Sequence, residues 1–219
     1  MILTIAIDGP ASSGKSTVAR LLAERLNIIY VDTGAMYRAV TYYMLENDCP
    51  IEEDTNFDFL EDITLAFEYI DGVQHILLND NDVTHQIRST QVTKYVSPVA
   101  ALPQVRSYLV AMQQKMSENT SLVMDGRDIG TTVLPKASYK FYFEASPEVR
   151  AMRRYKENQL LGYDDESLEE IKKGIIARDH YDMTRSVSPL RPASDAIIID
   201  TSDLTIQQVT QKLENIIKE

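Results

Sequence analysis

Between Leu3 and Leu26 the chain changes pattern twice within a few residues. The run Leu3-Thr4-Ile5-Ala6-Ile7 is short and continuously apolar, as expected of a strand covered on both faces. Asp8 ends it. The octapeptide Gly9-Pro10-Ala11-Ser12-Ser13-Gly14-Lys15-Ser16 then fits the pattern G-x-x-x-x-G-K-[ST], and Val18, Leu21, Leu22 and Leu26 follow at helical spacing. An apolar strand entering and a periodic helix leaving is the context that such a loop requires. Its glycines let successive backbone N–H groups turn around phosphate oxygens, and the helix N-terminus adds partial positive charge. Lys15 would reach the β- and γ-phosphates of ATP, and the Ser16 hydroxyl would join a Mg²⁺ shell. Gly9 through Thr17 is therefore the expected seat of the nucleotide's phosphates.

Four further apolar runs repeat the theme. Ile28–Val31 ends in Asp32, Leu122–Met124 ends in Asp125, Phe141–Phe143 ends near Glu144 and Ala196–Ile199 ends in Asp200. Helical stretches lie between them. One carries Met36, Val40, Tyr43 and Met44, and another Val105, Leu109, Met112 and Met116. A third opens at Ser146-Pro147, with serine capping and proline at the first helical position. The last carries Ile206, Val209, Leu213, Ile216 and Ile217. Strands alternating with helices predict an α/β fold with a five-stranded, parallel, doubly wound sheet and helices on both faces. Residues 60–90 read differently. Thr64–Ile70 and Val73–Leu78 are strand-like and joined by Asp71-Gly72, so a small antiparallel insertion is expected there.

Charge excludes some partners. The formal net charge is −11, which argues against a polynucleotide ligand, because such binding rests on Lys and Arg neutralising phosphates. Twelve of the 33 acids fall within residues 39–87, where there is no Lys or Arg. The rest of the chain is close to neutral, with clustered arginines. No stretch approaches the length of a membrane helix, and the N-terminus lacks the basic flank of a secretory signal. The single cysteine, Cys49, cannot form an intramolecular disulfide and is expected to be packed rather than reactive. A cytoplasmic protein without a membrane partner is the expectation.

The phosphate loop alone does not choose a reaction, since switch GTPases, transporter ATPases, metabolite kinases and nucleotide kinases all use it. No Asn-Lys-x-Asp is present, which speaks against the switch reading. The strand ends must decide, because ligands of such sheets sit outside the carboxyl ends of the strands. Asp32-Thr33-Gly34-Ala35-Met36-Tyr37-Arg38 is a glycine turn opening a helix, with Arg38 one turn inside, suited to gripping a second phosphate. Asp125-Gly126-Arg127-Asp128-Ile129-Gly130-Thr131 places Asp125 where a strand-end carboxylate can hold water on Mg²⁺. Arg178, Asp182 and Arg185 share one helical face, a spacing that an ordinary ion-pair ladder would also produce. Arg150, Arg153 and Arg154 form a basic cluster suited to a lid over the triphosphate. His75, His85 and His180 have no metal-ligand spacing and read as bystanders.

Together these segments resemble the bacterial cytidylate kinase family across the whole chain. The resemblance rests on the phosphate loop, Asp32–Arg38, Ser97 to Arg106, Asp125–Thr131, Arg178–Arg185, Pro189-Leu190 and the stretch from Asp195 to Thr201. It implies a P-loop NTPase sheet made of residues 1–32, 100–145 and 190–219. A monophosphate-binding lobe at 33–99 would contain the insertion, and residues 146–189 would supply a short lid with flanking helices. It also implies transfer of phosphate from ATP to CMP and dCMP by a monomer. Thr33, Arg38 and Arg127 would hold the acceptor's phosphate, while Ser97, Arg106 and Asp128 would read the cytosine edge. Arg178, Asp182 and Arg185 would hold the sugar and close the site, and Tyr37 would line the base. Lys15, Arg127, Arg178 and Asp125 are the expected catalytic set. Kinases for UMP or another metabolite share the loop, as would a nucleotide-sensing module that transfers nothing.

Overall fold

Each apolar run becomes a strand that carries its acid at or next to its carboxyl end. In this computed structural model, β1 (Thr4–Asp8) leads through the phosphate loop into α1 (Lys15–Leu26), and β2 (Ile29–Asp32) leads into α2 (Thr33–Glu46). A hairpin of β3 (Leu65–Ile70) and β4 (Val73–Leu78) follows, extended by a two-residue β5 (Asn81–Asp82). Then come α3 (Thr90–Val99), α4 (Pro103–Ser117), β6 (Leu122–Gly126) and β7 (Tyr139–Glu144). The chain ends with α5 (Pro147–Leu161), α6 (Leu168–Thr184), β8 (Ile197–Asp200) and α7 (Ile206–Lys218). The structure describes residues 2–162 and 166–218, so part of the expected lid, residues 163–165, lies outside the described residues. Among the described residues no helix is long and apolar enough to cross a membrane.

The strands form a five-stranded sheet in the order β2-β6-β1-β7-β8 and a three-stranded sheet in the order β3-β4-β5. The large sheet is parallel, with Ile7 registered on Asp125, Asp8 on Gly126 and on Tyr142, and Glu144 on Asp200. Strand alternation explains its two faces. Ile5, Ile7, Val123, Phe141, Phe143 and Ile199 point one way and are buried with Val18, Ala19 and Leu22 of α1 and Val209 and Leu213 of α7. Burying each of these larger side chains contributes about 1.5–3 kcal/mol relative to exposure, which makes this layer the main stabilising core. The opposite face carries Ala6, Asp8, Lys140 and Tyr142.

The chain divides into two compact units, Met1–Tyr30 with Ser117–Glu219, and Val31–Met116. In the second unit, the hairpin turns at Asp71 (φ 52°) and Gly72 (φ 78°), two consecutive left-handed residues that match the right-handed twist of the flanking strands. Helix α4, grouped with the core on sequence grounds, falls in this second unit. Its Tyr108 donates to the Ile63 carbonyl, and Gln113 lies against Met36 of α2. Helix α3 was not anticipated, although its signals are ordinary. Ser89 caps it by accepting from Val92 N, and Val92, Val96 and Val99 form its buried stripe. Pro98 sits in the last turn, where it removes only one bond.

Candidate active site

The phosphate loop leaves β1 pressed against β7. Gly9 has φ 149°, and a Cβ there would lie 2.5 Å from the Phe143 carbonyl oxygen, so no other residue fits without moving the backbone. Gly14, at φ 89°, forms the N-cap of α1 and turns the chain into it. A backbone nest holds anions with its N–H groups, so its carbonyls need partners on the outer side. They have them. Pro10 O accepts from Lys15 Nζ (3.0 Å), Ala11 O from Arg150 Nη1 (3.2 Å), and Ser13 O from Arg153 Nη1 (3.3 Å) and Thr201 Oγ1 (3.0 Å). Arg154 Nε donates to Ser12 Oγ at 3.3 Å. Arg150 is buried and also pairs with Asp179 of α6 at 2.7 Å. Helix α5 thus presents its three arginines to the loop itself and braces it.

Ser16, on the first turn of α1, donates to Asp125 Oδ2 at 2.7 Å, and Tyr30 of β2 donates to Asp125 Oδ1 at 2.8 Å. Asp125 is buried and held by two hydroxyls beside the loop. A hydroxyl next to a carboxylate is a hard-oxygen pair, and Mg²⁺ takes one or two protein oxygens while keeping waters and substrate phosphates. The donor set fits that ion. Among the described residues no group of three or more His, Cys, Asp and Glu could hold a metal ion.

Past Gly126, the chain enters a second cluster within the same unit. Arg127 Nε donates to Asp182 Oδ2 at 3.0 Å, and Asp128 Oδ1 lies 3.7 Å from Arg185 Nη2. Arg185 also donates to the Ser188 carbonyl, which fixes its guanidinium. Burial alone would push the Asp182 carboxyl up, but the charges of Arg127, Arg178 and Arg185 hold it below the usual carboxylate range. The shared face of α6 therefore serves a network that crosses to the β6 turn, rather than an isolated ladder along one helix. Behind it, Asp8 accepts from Ile129 N (2.8 Å) and Gly130 N (2.7 Å). Its carboxyl is pushed up to about 7 by burial, aided by the Asp128 charge and opposed by those two N–H groups and Lys15.

The other expected acceptor residues lie in the second unit. Asp32 caps α2 by accepting from Ala35 N (2.9 Å), which orients a helix start bearing buried Thr33 and half-buried Arg38. The Arg38 guanidinium lies against Gly34, where an added Cβ would approach Nη1 to 3.3 Å. Arg106 of α4 is buried, donates to the Ala100 carbonyl at 3.1 Å, and stands 5.5 Å from the Tyr37 ring centroid. That is cation–π range. Ser97 is half-buried on α3.

A sequence model of the cytidylate kinase family matches residues 5–219. The chain belongs to the cytidylate kinase family. Cytidylate kinases of Streptococcus pneumoniae (strain 70585) and Enterococcus faecalis (strain ATCC 700802 / V583) are each 49% identical to it, over 97% and 99% of this chain and 96% of each relative. In fold it is similar to a shikimate kinase from Bacteroides thetaiotaomicron, with TM-score 0.51, 12% identity and 100% coverage of both chains. Of the site's buried residues that the sequence motifs do not single out, Asp8 is the most prominent. An acid ending an apolar strand directly before the loop was its only signal. Tyr30, Thr201 and Asp179 gave still less, because their partners lie 29 to 188 residues away in sequence.

Proposed function

We propose that the protein transfers the γ-phosphate of ATP to CMP, and also to dCMP, as a Mg²⁺-dependent monomeric enzyme of the cytoplasm. The observation that carries this reading is the pairing of Asp8 with Gly126 on neighbouring parallel strands. The phosphate loop at Gly9 and the arginine turn at Arg127 therefore start side by side, about 4.8 Å apart in the pairing direction. Family membership, and relatives named cytidylate kinase at about half identity, support cytidine as the base.

The acceptor's phosphate is already an anion, so no strong base is needed. Positioning and charge neutralisation do the chemistry. In this reading Lys15 exchanges the Pro10 carbonyl for β- and γ-phosphate oxygens. Thr33, Arg38 and Arg127 hold the acceptor's phosphate in line, and Arg178 steadies the migrating group. Ser16 would hold Mg²⁺, with Asp125 reaching it through water. When bound, the ion supplies neutralisation of phosphate charge. Asp182 and Arg185 take the sugar, Tyr37 lines the base, and the helices at 146–189 exclude water that would otherwise accept the phosphoryl group.

Cytosine presents an amino donor at C4, with N3 and O2 as acceptors. Asp128 and Ser97 accept from the amino group, while Arg106 donates to N3 and O2. Uracil places O4 against the carboxylate and N3–H against the guanidinium. Each lost charged hydrogen bond costs roughly 1.5–3 kcal/mol, so two mismatches give about 10²–10⁴-fold discrimination. Purified protein with ATP and Mg²⁺, offered CMP, dCMP, UMP and AMP in turn, should form ADP fastest with the cytidine nucleotides. Equal rates for UMP or AMP would remove the base-reading assignment.

A further inference from the structure

One buried carboxylate takes no part in the chemistry above. Asp8 closes β1 at 3% exposure, and both of its oxygens are taken by backbone: Oδ1 by Ile129 N and Oδ2 by Gly130 N. We infer that Asp8 is a positioning residue, whose carboxylate grips the turn carrying Arg127 and Asp128 and ties it to the residue before the phosphate loop. The inference rests on the acceptor-side reading of Arg127 and Asp128.

The turn needs such a grip. Its internal bonds are wide: Thr132 N and Val133 N both donate to Asp128 O (2.8 and 3.2 Å), and Leu134 N donates to Ile129 O. Like the first amides of a helix, those of Ile129 and Gly130 find no carbonyl within their own turn, and Ile129 is 1% exposed. Two buried donors side by side call for a group with two acceptor oxygens, which a carboxylate supplies and an amide does not. The turn is held from the other side as well. A Cβ on Gly130 would stand 3.2 Å from Lys140 Cδ and 3.4 Å from Asp8 Oδ2. Lys140, on β7, is itself fixed by the Pro135 carbonyl and both oxygens of Asp195. Gly130 is thus wedged between side chains of β1 and β7. The peptide after Asp128 is the one that Asp8 holds, so loosening this grip displaces Asp128 directly. A misplacement near 1 Å is enough to cost on the order of a hundredfold in a positioned reaction.

Asp8→Asn keeps the shape but turns one N–H donor against a backbone donor. At pH 8, without nucleotide, amide exchange of Ile129 and Gly130 should quicken about ten- to hundredfold relative to wild type, the loss of one charged hydrogen bond. With ATP and CMP, KM for CMP should rise by about tenfold or more and the CMP-over-UMP ratio should fall, while KM for ATP stays within about threefold. Gly130→Ala attacks the same turn from the Lys140 side and should give the same split. It carries the test if Asp8→Asn does not melt cooperatively. Unchanged exchange and unchanged KM for CMP overturn the inference. So does a rise in KM for ATP alone, which would make Asp8 a strut of the phosphate loop. A wild-type protein that phosphorylates no CMP would sink the functional reading, while the exchange rates would still decide whether the grip exists.

Discussion

Asp8→Asn should also change how stability depends on pH. In the unfolded chain an aspartate titrates at 3.8, whereas the buried Asp8 carboxyl titrates at about 7. Burial is the main cause, followed by the opposing pull of the Gly130 and Ile129 N–H groups, then by Asp128 and Lys15. Between these values the native protein keeps a proton that the unfolded chain has released, so stability falls as pH rises through the window. The slope is about 1.4 kcal/mol per pH unit at its steepest and halves by pH 7, so the loss between pH 5 and 7 is roughly 2 kcal/mol. Asparagine has no proton to lose. Groups such as Asp182, whose carboxyl is held low by arginines, are present in both proteins and cancel in the difference. Urea unfolding at half-unit steps from pH 5 to 8 measures the effect. Wild type should lose roughly 2 kcal/mol relative to the variant between pH 5 and 7, on top of a constant offset from the altered hydrogen bond. Two parallel curves would refute the claim that Asp8 is desolvated.

Other substitutions separate the roles within the site. Lys15→Ala should lower transfer by on the order of 10³-fold with little change in melting temperature, and near-normal turnover would remove the phosphate-loop assignment. Arg127→Ala leaves Asp182 buried with only Arg178 and Arg185 to compensate. It should cost up to about 3 kcal/mol in urea unfolding and raise KM for CMP, and an unchanged stability would mean the ion pair carries no weight. Asp128→Ala or Arg106→Ala should erode the CMP-over-UMP ratio more than they weaken ATP binding, as read from kcat/KM for each acceptor.

Most of the large sheet is legible in the sequence, because buried parallel strands declare themselves as apolar runs and these end in acids. The hairpin was legible for a different reason: Asp71-Gly72 needs two left-handed residues, and that demand is local. Local signals also found Ser146 as a cap. What escaped were contacts between distant segments. Nothing in the neighbourhood of Arg127 announces Asp182, 55 residues on, and the spacing of Arg178, Asp182 and Arg185 fitted a helical ladder equally well. Arg150, Arg153 and Arg154 read as a cluster for phosphate, yet the carbonyls of the loop also need donors, and only the packing of α5 shows that Arg150 and Arg153 meet them. Helix α3 was lost because its valine stripe is short and interrupted by Pro98.

The destination of the γ-phosphate is the point on which everything turns. Incubation of the protein with γ-labelled ATP, Mg²⁺ and CMP, followed by chromatographic separation, follows it directly. The label should move into CDP, with little inorganic phosphate, and should stay in ATP when CMP is left out. Label that accumulates as inorganic phosphate at the same rate with or without CMP would describe a nucleotide hydrolase and contradict phosphoryl transfer to cytidine.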